Sequence, residues 1–167
     1  MPLQLAALGF SVVAVDFCRY PYLAPELEYK SQDISRLMFP DGSFDAVTSI
    51  STFEHVGIGF YADPKHVDRA DVRAFSEVRR VLKKGGLFVF SVPCGVAHTG
   101  DFQRIYSLEE LDALLAGFTT KERRYYKNSQ PKDAVNNFWS EVPRAEALRV
   151  LSSERTEAVC LVKARKI

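Results

Sequence analysis

Short apolar runs alternate with longer amphipathic stretches along this chain, and the alternation predicts strands and helices in turn. Residues 10–16 and 44–50 are rich in β-branched side chains and predict buried strands. Residues 87–92 are apolar on both faces, which is typical of a strand inside a parallel sheet. Residues 28–33 predict a short edge strand. Three of these four runs are therefore expected at the centre of a sheet.

The strongest helical signal lies between Asp63 and Gly86. Asp63 followed by Pro64 is typical of a helix N-cap and first helical position, and Gly85 with Gly86 predicts the helix end. Between them, apolar residues recur at spacings of three and four. This stripe consists of Val67, Ala74, Phe75, Val78, Val81 and Leu82. The spacing predicts one long helix with a single buried face, and Lys83 and Lys84 would complement its C-terminal dipole.

Weaker patterns complete the element order. Residues 3–8 predict the end of a helix that stops before Gly9, and Ser107 with Glu110 forms a capping box that opens another helix. Residues 133–151 are predicted to be mostly helical. Strands are expected at residues 125–126 and 157–163.

Strands that alternate with helices predict an α/β fold with a parallel sheet and right-handed crossovers. Ligands of such sheets bind at the carboxyl ends of the strands. That rim is expected to hold Asp16, Asp33, residues 49–52 and residues 93–95.

Composition limits the classes of function. The 167 residues predict one domain over residues 1–167, and the net charge of +1 disfavours nucleic acid as a partner. No apolar run is long enough to span a membrane. The three cysteines are widely spaced, and His66 and His98 have no partners at ligand spacing. We therefore expect a cytoplasmic protein without a metal site.

Three segments in order closely resemble class I S-adenosylmethionine-dependent methyltransferases of the type 11 kind. They are FPDGSFDAVTSISTFEHVG (residues 39–57), SEVRRVLKKGGLFVFSVP (76–93) and RIYSLEELDALLAGF (104–118). The run EHVGIGFYADP (54–64) also resembles a methyltransferase-like family of unknown function. The resemblance covers residues 5–118 and implies a Rossmann-like sheet with an antiparallel C-terminal strand. It also implies S-adenosylmethionine as the cofactor.

The resemblance assigns cofactor-binding roles to the residues that follow the strands. Asp16 matches the acid that binds the ribose hydroxyls through charge-assisted hydrogen bonds. Asp33 and Ile34 match the positions beside adenine. The turn under the sulfonium matches Ile50, Ser51 and Thr52. A strand-end acid, a helix cap and an ordinary turn remain as structural alternatives for these three positions.

One part of the family pattern is missing from this sequence. The family opens with a strand and a glycine-rich loop, and the strand lies between those that match residues 12–16 and 45–50. We expect a fragment or a misplaced start, with a shortened relative as the alternative. Without that strand, the chain is expected to pair residues 12–15 with 46–49 directly, to borrow a strand from a second copy, or to fold poorly. Weak or absent cofactor binding would follow.

The sequence gives weaker signals for the residues that would contact the methyl acceptor. Glu54 and His55 follow the cofactor strand and are candidate catalytic residues, since a histidine can accept a proton near neutral pH. Their structural alternatives are a helix cap and a packed loop histidine. Arg104 and Tyr106 precede the helix at Ser107 and are candidates for orienting the acceptor, with a structural Arg–Tyr pair as the alternative.

The leading interpretation is methyl transfer to a small-molecule or sugar-type acceptor. A non-catalytic methyltransferase-like module, used for binding or scaffolding, is the second, and the missing strand favours it. A nicotinamide-dependent oxidoreductase is the third, because an acid after the second strand also suits that cofactor. Asp33 and the segment at residues 39–45 argue against the third interpretation.

Overall fold

The computed structural model describes residues 1–17, 24–61, 67–128, 138–150 and 156–167. In chain order the elements are α1 (Pro2–Ala7), β1 (Val12–Asp16), β2 (Leu27–Ser31), β3 (Phe44–Ile50), a 3₁₀ helix (Phe53–His55), α2 (Ala70–Val81), β4 (Leu82–Pro93), β5 (His98–Thr99), β6 (Arg104–Ile105), α3 (Leu108–Leu114), β7 (Phe118–Asn128), β8 (Trp139–Val142), α4 (Arg144–Ala147) and β9 (Ala158–Lys166). The two longest elements, α2 and β4, have twelve residues each and lie near the middle of the chain.

The main sheet has five strands in the order β3-β4-β9-β7-β8. β3 pairs with β4 in parallel, and β9 lies antiparallel between β4 and β7. β7 therefore runs in the same direction as β4, and β8 pairs with its other edge. The α/β fold with an antiparallel C-terminal strand is thus confirmed.

β1 and β2 form a second, separate parallel sheet of two strands. Among the described residues, no strand pairs with the other edge of β1, and none pairs with the β3 edge that faces away from β4. The sequence predicts a missing strand at this position. Direct pairing of β1 with β3, one of the three expected outcomes, is not observed. We call these two strand edges without a described partner strand the β1–β3 gap.

The side chains beside this gap are incompletely covered. The apolar residues of β1 are only half-buried, although the sequence predicts a fully buried strand. On β3, the alternate positions Ala46, Thr48 and Ile50 share one face and are all exposed. Because Ser49 between them is buried, β3 packs against the core with one face alone.

The hydrophobic core lies between α2 and the main sheet. Phe75 of α2 packs against Phe53, Phe88 and Phe90, with ring centroids 4.3, 5.8 and 5.1 Å away. All four rings are buried, as is Val78. The predicted apolar stripe of α2 therefore faces the core.

The predicted ends of that helix are wrong. The helix begins at Ala70 and ends at Val81, whereas the predicted cap at residues 63–64 lies outside the described residues. Leu82 is extended and pairs with Phe44, so Lys83 and Lys84 belong to β4. The Lys83 ammonium lies 2.7 Å from Asp45 Oδ1 on the neighbouring strand. It therefore forms an ion pair across the two strands, whereas the sequence predicted an interaction with the C-terminal dipole of a helix.

Two other regions differ in how well the pattern predicts them. The capping box at Ser107 and Glu110 is present with both of its hydrogen bonds, at 3.2 and 2.8 Å. The helical prediction for residues 133–151 is wrong where β8 pairs with β7, and α4 is a single turn. Residues 133–137 and 151 lie outside the described part.

Among the helices of the described residues, none has both the length and the apolar character of a membrane span.

Candidate active site

The ends of β1 and β2 place two acids on one rim. Asp16 is the last residue of β1 and is exposed, and its backbone oxygen accepts a hydrogen bond from Tyr29 Oη at 3.0 Å. Asp33 follows β2, where its Oδ1 accepts from the backbone N–H of Ser35 at 2.7 Å. Ile34 is half-buried and packs against the core. Asp33 therefore shapes the turn after β2, while Asp16 is an exposed residue at the end of β1.

The turn after β3 is sharp and is fixed to the neighbouring strand. Ser51 adopts a left-handed conformation with φ of 49°, which is uncommon for a residue with a side chain. Its backbone N–H donates to both the carbonyl and the hydroxyl oxygen of Ser91 at 3.2 Å. Thr52 Oγ1 donates to the carbonyl of Ile50 at 3.3 Å. Ile50 itself is exposed at the end of the strand, and the turn leads directly into the 3₁₀ helix.

Glu54 in this 3₁₀ helix is a buried carboxyl group. The residue is 2% exposed, and its Oε2 has no hydrogen-bond partner among the described residues. Burial raises the pKa of Glu54 to about 7, against smaller opposing effects of its own backbone and the Ser51 side chain. A carboxyl with a pKa near 7 is suited to exchanging protons at neutral pH.

His55 lies beside this carboxyl group. Its Nδ1 is 2.7 Å from the backbone oxygen of Phe102, and because a carbonyl only accepts, Nδ1 carries the proton. In the neutral ring the lone pair is then on Nε2, which lies 3.9 Å from Glu54 Oε1. The two side chains form an imidazole–carboxyl pair at the end of a parallel strand.

Arg104 and Tyr106 connect this loop to the rest of the fold. Arg104 donates to the backbone oxygen of Val56 at 2.6 Å, and its Nε lies 3.8 Å from Asp71 Oδ2. The Tyr106 hydroxyl lies 3.1 Å from the same Asp71 oxygen and 3.2 Å from the oxygen of Phe53. Burial, followed by the charge of Asp71, raises the pKa of Tyr106 well above its ordinary value. Tyr106 is therefore a permanent neutral donor, and both side chains hold the 3₁₀ helix in place.

A cavity of about 660 Å³ adjoins these groups. Arg104 and Tyr106 form part of its wall. The rest comes from residues 57–58 and 67–72, from the segment between β5 and β6, and from α3. Its volume is within the range of small-molecule sites, which is about 300–1,000 Å³.

Comparison with known proteins assigns the family. A profile described as a methyltransferase domain matches residues 1–90. The chain belongs to this methyltransferase family. The mouse protein named EEF1A lysine methyltransferase 4 is 35% identical over 88 residues, a match that covers 50% of this chain and 34% of the relative. The chain thus matches about one third of the length of this curated methyltransferase.

Solved methyltransferase structures share the fold. An S-adenosylmethionine-dependent methyltransferase from Methanosarcina mazei aligns with a TM-score of 0.65 at 19% identity, over 99% of this chain and 86% of that one. The 1,6-didemethyltoxoflavin-N1-methyltransferase of Burkholderia thailandensis aligns with a TM-score of 0.63 at 20% identity, over 98% and 64%. At these identities the likeness concerns the fold alone.

The rim residues of this methyltransferase domain fit one half of S-adenosylmethionine, the cofactor of the family. Asp16 is exposed at the end of β1, where a carboxylate would accept from ribose hydroxyls, and Ile50 is an exposed apolar residue at the end of β3. No described residue supplies a glycine-rich loop between β1 and β3 for the methionine half. The fit is therefore to the adenosine part.

Several residues of the site could not be identified from the sequence. Asp71 joins Arg104 to Tyr106 but precedes them by more than thirty positions, and nothing in the pattern of α2 marks it. The backbone carbonyl of Phe102 accepts a hydrogen bond from His55, and the Phe102 ring packs against the His55 ring. The adjacent aromatic residues Phe60 and Tyr61, in a loop with two glycines, were the one available sequence signal.

Proposed function

We propose that this chain serves in S-adenosylmethionine-dependent methyl transfer to a small-molecule acceptor. The observations that carry the proposal are the exposed Asp16 at the end of β1 and the exposed Ile50 at the end of β3, each the last residue of a strand in a parallel pair. Bound cofactor would supply an activated methyl group on a sulfonium. The chain's own residues would bind the ribose, exclude water and receive a proton from the acceptor.

The proposed cofactor roles rest on the family resemblance, and the proposed roles of His55 and Glu54 rest on their contacts. Asp16 binds the ribose, Asp33 and Ile34 lie beside the adenine, and the turn after β3 supports the sulfonium. That turn consists of Ile50, Ser51 and Thr52. His55 accepts the acceptor proton at Nε2, and Glu54 stabilises the resulting imidazolium from 3.9 Å.

Arg104 and Tyr106 act indirectly in this proposal. Both have protein partners, so they fix the position of the 3₁₀ helix and the cavity wall instead of gripping an anionic acceptor. The size of the cavity suits a small molecule. The toxoflavin methyltransferase acts on such a compound, and a sugar intermediate would belong to the same class.

Binding of the cofactor through Asp16 is the testable core of the proposal. In a chain extended upstream by a strand and a glycine-rich loop, Asp16→Ala should weaken S-adenosylmethionine binding by about 1.5–3 kcal/mol, the range for a hydrogen bond to a charged group. Titration calorimetry measures this loss. Asp45→Ala, which removes an exposed partner of Lys83, is the control and should leave the affinity unchanged.

The same titration separates the competing functions. Unchanged affinity in Asp16→Ala would remove the ribose assignment. Binding of NADH in place of S-adenosylmethionine would identify an oxidoreductase. Binding of neither molecule by the extended chain would favour a non-catalytic module.

A further inference from the structure

An exposed cluster of aromatic rings surrounds His55. It consists of His55, Phe60, Tyr61 and Phe102, and we call it the aromatic cluster. The His55 ring lies 5.1 Å from Tyr61 and 4.8 Å from Phe102, and Phe60 lies 4.7 Å from Phe102. Phe60 is 57% exposed, Tyr61 49% and Phe102 37%. Large rings that contact one another while facing solvent are typical of a binding surface.

The charge next to this cluster is negative. The two segments that carry its rings, residues 55–61 and 99–106, also form walls of the 660 Å³ cavity. Four acids and two arginines line that cavity, and one arginine lies 3.8 Å from a carboxylate oxygen. The acids are Asp68, Asp71, Asp101 and Glu110, and the arginines are Arg69 and Arg104.

A further carboxyl group lies directly behind the cluster. Glu54 is buried with one oxygen that lacks a hydrogen-bond partner among the described residues, and its other oxygen is 3.9 Å from the His55 ring. Buried carboxyl oxygens are rarely left without a partner, so this one points to a ligand or proton that the site exchanges. Aromatic faces and an excess of carboxylates both favour the same ligand, an organic cation.

We propose that the group methylated at this site is an aliphatic amine, which binds as its ammonium ion against the aromatic cluster beside the acidic cavity. This inference rests on the proposed function and specifies its acceptor. An alkyl hydroxyl group would have the same size but would gain nothing from the ring faces or from the carboxylates. The ammonium group can belong to a free diamine, in keeping with a small-molecule acceptor, or to a lysine side chain, in which case the acceptor would be a peptide. Both present the same chemistry.

The reaction at an amine has a simple balance. The ammonium first gives one proton to His55 Nε2, which leaves a lone pair on nitrogen. That pair forms the new C–N bond as the C–S bond of the sulfonium donor breaks, and the bond electrons remain on sulfur. The imidazolium proton then passes to solvent, while the Glu54 carboxylate stabilises the charged ring in the interval.

Binding of the amine can be measured without the methyl donor. The 167-residue chain is titrated with 1,5-diaminopentane, with Nα-acetyl-lysine amide and with the neutral 1,5-pentanediol, and the aromatic ring signals are followed by NMR. We expect at least one of the two amines to bind ten-fold or more tightly than the diol. The tighter of the amines identifies the source of the group.

Variants connect this binding to the named residues. Phe60→Ala and Glu54→Gln should each weaken the preferred amine about ten-fold, while Phe60→Tyr should retain binding. Phe138→Ala removes an equally exposed ring before β8 and is the matched control. Circular dichroism melts of each variant check that the fold is retained.

The outcomes separate this inference from the proposed function. Equal binding of amine and diol, or full affinity in folded Phe60→Ala and Glu54→Gln, would overturn the amine assignment. Methylation of an alcohol by an extended chain would also overturn it but would leave the proposed function standing. Amine binding in an extended chain that never binds S-adenosylmethionine would refute the proposed function alone.

Discussion

The burial of Glu54 has a consequence for stability at the scale of a single residue. Its pKa rises from an ordinary value of 4.5 to about 7 in the fold, so the folded state binds more protons than the unfolded state between these two pH values. The contribution of Glu54 is therefore most favourable below pH 4.5 and is lost as the pH rises through 7. The shift corresponds to about 3 kcal/mol.

Glu54→Gln should therefore flatten the dependence of the unfolding free energy on pH between 4.5 and 7, and should be more stable than the parent at pH 8. Urea melts at a series of pH values measure both effects. Glu109→Gln, at an exposed position in the first turn of α3, is the control and should follow the parent profile. Parallel profiles for Glu54→Gln and the parent would show that this carboxyl is ionised at no cost in the fold.

Residues at the ends of strands could be identified from the sequence because their position follows from the apolar run before them. Asp16 and Glu54 were found in this way. The partners of those residues could not be found, since contacts such as Tyr106 with Asp71 depend on how distant elements pack. The burial of Glu54 was equally hidden, because a charged residue in a predicted loop is ordinarily expected at the surface.

At the scale of elements, α2 is held by the ring of Phe75. This side chain is 2% exposed and contacts three other buried rings, so its removal leaves a cavity that the neighbours cannot fill. Phe75→Ala should lower the unfolding free energy by about 3–5 kcal/mol in denaturant melts. Phe138→Ala should change it little because that ring is exposed. A loss below 1 kcal/mol for Phe75→Ala would mean that the core repacks around the deletion.

The identity of the elements was more predictable than their ends. The three-and-four spacing identified α2 and its buried face, since that face depends only on periodicity. Its C-terminus was misplaced because the two lysines and two glycines suit a helix end locally, whereas the pairing of Leu82 with Phe44 extends β4 instead. β8 was missed for a similar reason. A four-residue edge strand has too few alternating positions to be distinguished from the helical pattern predicted for residues 133–151.

At the scale of the whole molecule, we expect the β1–β3 gap to limit binding of the cofactor. The position of the break was implied by the family resemblance, since the strands on both sides of the expected one are recognisable in the sequence. The split into two sheets required the structure, because the sequence left direct pairing open. Exposed Ala46 and Ile50 show that one face of β3 has no cover among the described residues.

The chain as it stands should accordingly bind S-adenosylmethionine weakly or not at all, whereas a chain extended upstream by a strand and glycine-rich loop should bind it and transfer a methyl group. Each backbone group that the added strand pairs avoids a cost of about 1–3 kcal/mol. Calorimetry and sedimentation on both forms test this. A 167-residue chain that is monomeric, melts cooperatively and binds the cofactor at micromolar concentration would refute the argument.

The position of β9 also affects the order of events during synthesis. This strand is made after β4 and β7, yet it pairs with both and separates them in the sheet. While the ribosome is still translating the codons before residue 158, the nascent chain has two long strands with no common partner. Unpaired strand edges are prone to aggregation, so chaperone capture of stalled nascent chains should be strongest at that stage. Completion of the main sheet is thus tied to the synthesis of β9.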